Sequence, residues 1–174
     1  MMAEKLRILG IDPGSRLTGF GVLDFEADNP TYVASGTVQS TDGDFPDRLK
    51  LIFDSVSRIV TQYQPDVVAI ESVFVHRNAG SALKLGHARS AALCATFESN
   101  VEVFEYAPRE IKQAVVGNGS ATKDQVQHMV VSILQLDGEP SFDAADALAT
   151  ALCHGHQRRL NARLSGRSAI AGMQ

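Results

Sequence analysis

At 174 residues, 44% of them hydrophobic and 21% charged, the chain has the size and composition of one globular domain that can bury a sizeable core. No apolar run is long enough to span a bilayer, and residues 1–7 lack the long apolar stretch of a signal peptide, so a cytoplasmic protein without a membrane partner is expected. Cys94 and Cys153 form neither a metal-type spacing nor a disulfide framework, and Cys94 reads as a buried thiol on a core-facing helix position.

The net charge of −4, taken alone, argues against a nucleic-acid partner. Its distribution does not: residues 76–89 carry Arg77, Lys84 and Arg89 with His76 and His87 and no acid. From His154 onward come Arg158, Arg159, Arg163 and Arg167, again with no acid. These stretches are either solvated faces or a basic surface opposed to an acidic pocket.

In chain order, residues 6–11 form an apolar run that stops at the turn signal Asp12-Pro13-Gly14, which reads as a strand and its exit. Residues 18–25 and 32–39 alternate as two more strands, with Asn29-Pro30 marking the turn, and the three suggest an antiparallel meander. Leu49, Ile52, Phe53, Val56, Ile59, Val60 and Tyr63 share one helical face, and Pro65 follows. Residues 66–71 are a short, nearly all-apolar strand, buried on both faces. Residues 78–97 read as a helix rich in Ala, Gly and Ser, whose small side chains admit a second helix within the chain or across a dimer; residues 101–106 are a fifth strand. Pro108 opens a helix to Val116, Thr122 and Gln125 form a capping-box pattern for the next, and Ser141 is the N-cap of a last helix reaching about His156. The order predicts an α/β fold with a mixed five-stranded sheet covered by helices on both faces. Residues 1–156 are expected to form the folded domain, and residues 157–174 a basic, disordered C-terminal tail that matches no known pattern and offers an accessory DNA contact.

Four carboxylates stand out. Asp12 follows one apolar strand and Glu71 ends another, while Asp143 and Asp146, three apart at the start of the last helix, share its face. Strand ends meet along one edge of a sheet, and a helix packed there adds its own acids. Crowded carboxylates repel one another unless a cation neutralises them, and oxygen donors suit Mg2+ or Mn2+. Two such ions about 4 Å apart can clamp a phosphodiester. The simpler alternatives are a plain turn at Asp12 and helix-dipole complements at Asp143 and Asp146. Glu71 resists such a reading, because a carboxylate ending a buried strand needs a partner. His154 and His156, with no further clustered ligands, read as ordinary surface or core histidines.

Four blocks together resemble the RuvC resolvase family. They are Gly10-Ile11-Asp12-Pro13-Gly14 continuing to Thr18-Gly19-Phe20-Gly21, and Ile70-Glu71-Ser72-Val73-Phe74 continuing to Ala88-Arg89. The others are Lys112-Gln113-Ala114-Val115-Val116-Gly117 with Gly119, Ala121, Lys123 and Gln125-Val126, and the run Asp143-Ala144-Ala145-Asp146-Ala147-Leu148-Ala149. The resemblance implies an RNase H-like fold and a homodimer that nicks two strands of like polarity in a four-way DNA junction. It implies Mg2+, with Mn2+ as a substitute and two ions per site, and partnership with a branch-migration motor of RuvA and RuvB.

By the same resemblance the catalytic, metal-holding acids are Asp12, Glu71, Asp143 and Asp146. Some relatives place His where this chain has Asp143. Phe74 matches an aromatic that wedges into the junction centre, and Lys112 and Lys123 match basic positions near the scissile phosphate. Arg77, Lys84 and Arg89 are candidates for backbone phosphates. Ser90 and Ser72 depart from the family's common Gly and larger polar residue. Competing readings are a junction-binding module that does not cut, an RNA-directed nuclease of the same fold, and an actin-like nucleotide phosphatase, for whose second lobe the chain has no room.

Overall fold

The structure, a computed structural model, describes residues 5–27, 29–72 and 78–171, and their side chains up to residue 158. The elements are β1 (Lys5–Asp12), β2 (Leu17–Glu26), β3 (Asn29–Gln39), α1 (Phe45–Tyr63), β4 (Val67–Glu71), α2 (Ala79–Cys94), β5 (Glu102–Tyr106), α3 (Pro108–Val116), α4 (Lys123–Leu134) and α5 (Phe142–Ala171), with a 3-10 turn at Phe97–Ser99. The sheet order is β3-β2-β1-β4-β5. The first three strands pair antiparallel, and β4 and β5 run parallel to β1, as the sequence predicts.

Period-two alternation sorts the sheet into two faces. Leu9, Ile11, Val22, Val68 and Ile70 pack against Ile52, Val56 and Val60 of α1 and Ala88 and Ala92 of α2. Ile8, Leu23, Ala69 and Tyr106 pack on the other side against α3, α4 and α5. No helix among the described residues is long and apolar enough to cross a membrane.

Local signals account for most boundaries. Thr122 and Gln125 cap each other reciprocally, each backbone N–H donating to the other's side-chain oxygen at 2.9 and 3.3 Å. Ser141 Oγ accepts from the Ala144 N–H at 3.3 Å, and at the start of α3 the Ala107 N–H donates to Glu110 Oε2 at 2.8 Å. Three expectations change. Asn29-Pro30 does not mark the turn after β2: both residues lie in β3, paired with Glu26 and Phe25, because the strand begins ahead of its alternating apolar stretch. Helix α2 ends at Cys94, where the thiol is exposed; the buried thiol is Cys153. Helix α5 continues past His156 to Ala171.

The packing of α5 decides where the site lies. Its buried face is almost all small: Ala144, Ala145, Ala147, Ala149 and Ala151 surround Leu148 and Leu152. The sheet beneath is equally bare. A Cβ on Gly10 would lie 2.0 Å from the Ala147 carbonyl oxygen, and one on Gly19 would lie 1.9 Å from that of Asp143. Glycine on the strands and alanine on the helix bring backbone against backbone, so α5 rests on β1 and β2 closer than side-chain packing would allow.

Gly19→Ala should therefore lift the first turn of α5. The expected cost is about 1–3 kcal/mol in urea unfolding. An unchanged unfolding midpoint would show that the close approach is not needed.

Candidate active site

Asp12 is the last residue of β1, and alternation puts it on the same face as Ile8 and Gly10, toward α5. Glu71 ends β4 on the same face as Ala69. The two strands are parallel neighbours with Ile11 opposite Ile70, so both carboxylates leave the same sheet edge side by side. Asp146 comes down from the second turn of α5, Lys123 from the first residue of α4, and Lys112 from α3. Together Asp12, Glu71, Lys112, Lys123 and Asp146, with Pro108, Ile111 and Val126, line a cleft of about 170 Å3.

The electrostatics are those of crowded acids. Burial, reinforced by the charges of Glu71 and Asp146, pushes the Asp12 carboxyl up to about 8. Burial and Asp146 push Glu71 up to about 7, while Lys123 and Lys112 pull it the other way. Lys123 Nζ donates to Asp146 Oδ2 at 3.0 Å, so an ammonium already supplies part of the counter-charge. Asp143 adds a smaller repulsion to Asp12 and lies beside the cleft, its carbonyl oxygen pressed against Gly19.

The donor set is entirely carboxylate oxygen, which is the chemistry of a hard divalent cation. Among the described residues, no three or more Asp, Glu, His or Cys side chains stand close enough together to hold a metal ion between them. The cleft fits such a cation by donor type, in an open rather than caged arrangement, and a bound cation would offset the repulsion that raises Asp12 and Glu71.

The turn behind Asp12 is braced by residues that no local pattern reveals. Thr18 Oγ1 donates to the Gly14 carbonyl at 3.0 Å, and the Ser40 N–H donates to the Arg16 carbonyl at 2.8 Å. Arg48 of α1 donates Nε to the Ser40 carbonyl at 2.6 Å and Nη2 to the Ser15 carbonyl. Beyond Glu71, Ser72 donates both its N–H and its Oγ to the Tyr106 carbonyl, at 2.9 and 3.1 Å, and so has a defined contact of its own.

The other sequence candidates are scattered. Phe74 and Arg77 lie outside the described residues. Lys84 is exposed on α2, its ammonium 6.0 Å from the Phe45 ring. Arg89 turns inward, toward Glu105 and the Glu71 carbonyl. His154 is a core residue: its Nδ1 is 2.8 Å from the Tyr106 hydroxyl, and burial lowers its pKa to about 4. His156 lies edge-on to Phe25, so the two histidines form no joint site.

A model of the family described as Crossover junction endodeoxyribonuclease RuvC matches residues 8–154. A protein of that description from Photobacterium profundum is 53% identical over 164 residues, spanning 94% of this chain and 95% of its own length. One from Aeromonas hydrophila is 53% identical over 161 residues, spanning 92% and 93%. Among solved structures, T. thermophilus RuvC in complex with Holliday junction substrate matches with a TM-score of 0.82 at 36% identity, covering 90% of this chain and 96% of that one. The yeast mitochondrial Holliday junction resolvase Ydc2 shares the fold alone, with 14% identity, a TM-score of 0.61, and coverage of 94% and 83%. The fold is the RNase H-like one.

The raised carboxyls give a pH dependence of defined sign. Between its ordinary value of 3.8 and about 8, Asp12 holds a proton in the folded state that the unfolded chain releases, so cation-free stability falls as pH rises across that window. Glu71 adds to the fall up to about 7. His154 acts oppositely, because it is neutral when folded and protonated when unfolded between about 4 and 6.5, and above 6.5 its effect is complete. In EDTA, urea unfolding should therefore show a loss of about 1–2 kcal/mol from pH 6.5 to 8.5, and Asp12→Asn should remove most of it. A wild-type profile that is flat or rises there would contradict the account.

Proposed function

The chain belongs to the RuvC family of crossover junction endodeoxyribonucleases, a family of metal-dependent nucleases, and on that premise we propose that it resolves four-way (Holliday) DNA junctions. The reaction is symmetric, Mg2+-dependent nicking of two strands of like polarity, in homologous recombination and DNA repair. What carries the reading is the junction of two parallel strand ends and one helix, which puts Asp12, Glu71 and Asp146 in a single cleft with Lys112 and Lys123.

Asp12, Glu71 and Asp146 would hold Mg2+, two ions per site with Mn2+ as a substitute, and Asp143 would complete the acidic shell. When bound, the ions supply an activated water and stabilise the leaving oxygen of an in-line phosphodiester hydrolysis. The protein's part is positioning. The backbone-to-backbone seating of α5 fixes Asp146 relative to the two strand ends. Lys112 and Lys123 flank the acids and offer positive charge to a phosphate that the carboxylates alone would repel. Lys123, which donates to Asp146 in this structure, would be free to turn toward a bound phosphate if a cation took over the charge of Asp146.

On the substrate side, Phe74 wedges into the junction centre, where stacking contributes about 1–3 kcal/mol per base, and Arg77 and Lys84 contact backbone phosphates. A homodimer supplies the two related sites that symmetric nicking needs, with the small-residue helix α2 at its interface. RuvA and RuvB form the branch-migration motor that delivers the junction. The enzyme works in the cytoplasm as one nuclease domain, residues 1–156, with residues 157–174 as a basic segment that adds a DNA contact.

The test is cleavage of an end-labelled synthetic four-way junction against matched linear duplex, with Mg2+ and with EDTA. Paired, symmetric, Mg2+-dependent nicks on the junction alone are expected. Asp12→Asn, Glu71→Gln or Asp146→Asn should lower the rate more than about a hundredfold while junction binding persists. Full activity in Asp12→Asn would remove the carboxylate assignment. Tight binding without nicks in either metal would favour a junction-binding module.

A further inference from the structure

Arg89 sits on α2, on the sheet face opposite the cleft, where its neighbours Ala88 and Ala92 pack into the core of Leu9, Val68 and Ile70. Its side chain is 17% exposed, too covered for a free surface cation. Nη2 lies 2.5 Å from Glu105 Oε2, and Nε donates to the Glu71 backbone carbonyl at 3.4 Å. Among the described residues Nη2 is buried without a well-aligned hydrogen-bond acceptor, so the Glu105 carboxylate is its charge partner.

Register explains why these groups meet. Glu105 is opposite Ile70 and Tyr106 opposite Glu71 in the parallel pair β4 and β5. Val103 packs toward α1 and α2, Phe104 packs on the α5 side, and alternation returns Glu105 to the α2 side. One guanidinium therefore spans the carboxyl ends of two adjacent strands from behind. Just past the end of β4, Ser72 donates to the Tyr106 carbonyl and ties the same two strands together.

We propose that Arg89 and Glu105 form a positioning brace, which holds the Glu71 end of β4 from the face of the sheet opposite the cleft. This rests on the nuclease reading above but assigns Arg89 a role other than a phosphate contact. Arg89 is a positioning residue. It reaches the reaction through the backbone of Glu71, and Glu105 is its necessary partner. Small displacements of a metal-holding carboxylate are costly to rate and nearly silent in binding, which depends on the basic surface instead.

Glu105 supplies the decisive comparison, because an acidic side chain cannot be a phosphate contact. Arg89→Gln, Arg89→Lys and Glu105→Gln are compared with wild type in single-turnover junction cleavage at saturating protein. Junction affinity is measured in EDTA at two salt concentrations, and thermal unfolding is measured alongside. The brace predicts that Arg89→Gln and Glu105→Gln both slow cleavage by about tenfold or more, with affinity held within about twofold. Arg89→Lys, which keeps a positive charge for Glu105 but loses the Nε donor to the Glu71 carbonyl, should stay slow while its junction affinity remains that of wild type. The proposal is overturned if Arg89→Gln weakens binding and flattens its salt dependence while Glu105→Gln is silent, the pattern of a phosphate contact. It is equally overturned if both variants cut at the wild-type rate. Should Arg89→Gln unfold below the assay temperature, Glu105→Gln decides alone: slow cleavage with intact binding supports the brace, and normal cleavage removes it. A wild-type protein that fails to cut the junction would instead strike the nuclease reading.

Discussion

The constraint on which the site depends is the distance between α5 and the sheet. Helices normally sit about 10 Å from a strand layer because side chains hold them off. Here glycines on β1 and β2 meet a helix face of alanines, and the Ala147 and Asp143 carbonyls occupy space that any Cβ would fill. The aspartates at the start of α5 are short side chains. Only a helix seated this low brings Asp146 into the cleft that Asp12 and Glu71 enter from the strand ends. The same seating buries Leu148 and Leu152 completely, so the core and the site draw on one packing arrangement.

That arrangement stores a conflict. Carboxylates that are buried and mutually repulsive resist ionisation, and Asp12 and Glu71 are both pushed well above the ordinary range. Lys123 relieves part of it through Asp146, and Lys112 through Glu71. The remainder is an electrostatic demand that a bound cation would satisfy. Rigid supports hold the acids in place against their repulsion: Arg48, Thr18 and Ser40 on the turn after Asp12, and Ser72 with Arg89 at the end of β4. The far end of the sheet is tied separately by Arg7 and Lys5 on the buried Asp24, whose carboxyl those cations hold below its usual range.

Much of this was legible in the sequence. Apolar runs located β1 and β4 and alternation located β2 and β3, and the ends of β1 and β4 pointed to Asp12 and Glu71, because strand ends meet along one edge of a sheet. The capping residues Thr122 and Ser141 marked true helix starts. Local patterns failed where partners are distant or faces are indistinct. The small residues of α2 leave no clear apolar stripe, so nothing showed that Cys94 faces outward. Arg89 read as one more cation in a basic run, since its partner Glu105 is on another strand and enters only through the register of β4 with β5. The reason for Gly10 and Gly19 was equally hidden: their neighbours lie more than a hundred residues away in α5.

The most direct measurement is thermal unfolding of the wild-type protein and of the Asp12→Asn, Glu71→Gln double variant, in EDTA and in a titration of Mg2+ and then Mn2+. If the cleft is a cation site built from the strand-end carboxylates, the wild-type melting temperature rises with ion concentration in a saturable way, by ligand linkage. The double variant then starts higher in EDTA and does not respond. Equal responses in the two proteins, or none in the wild type, would contradict the account at its centre.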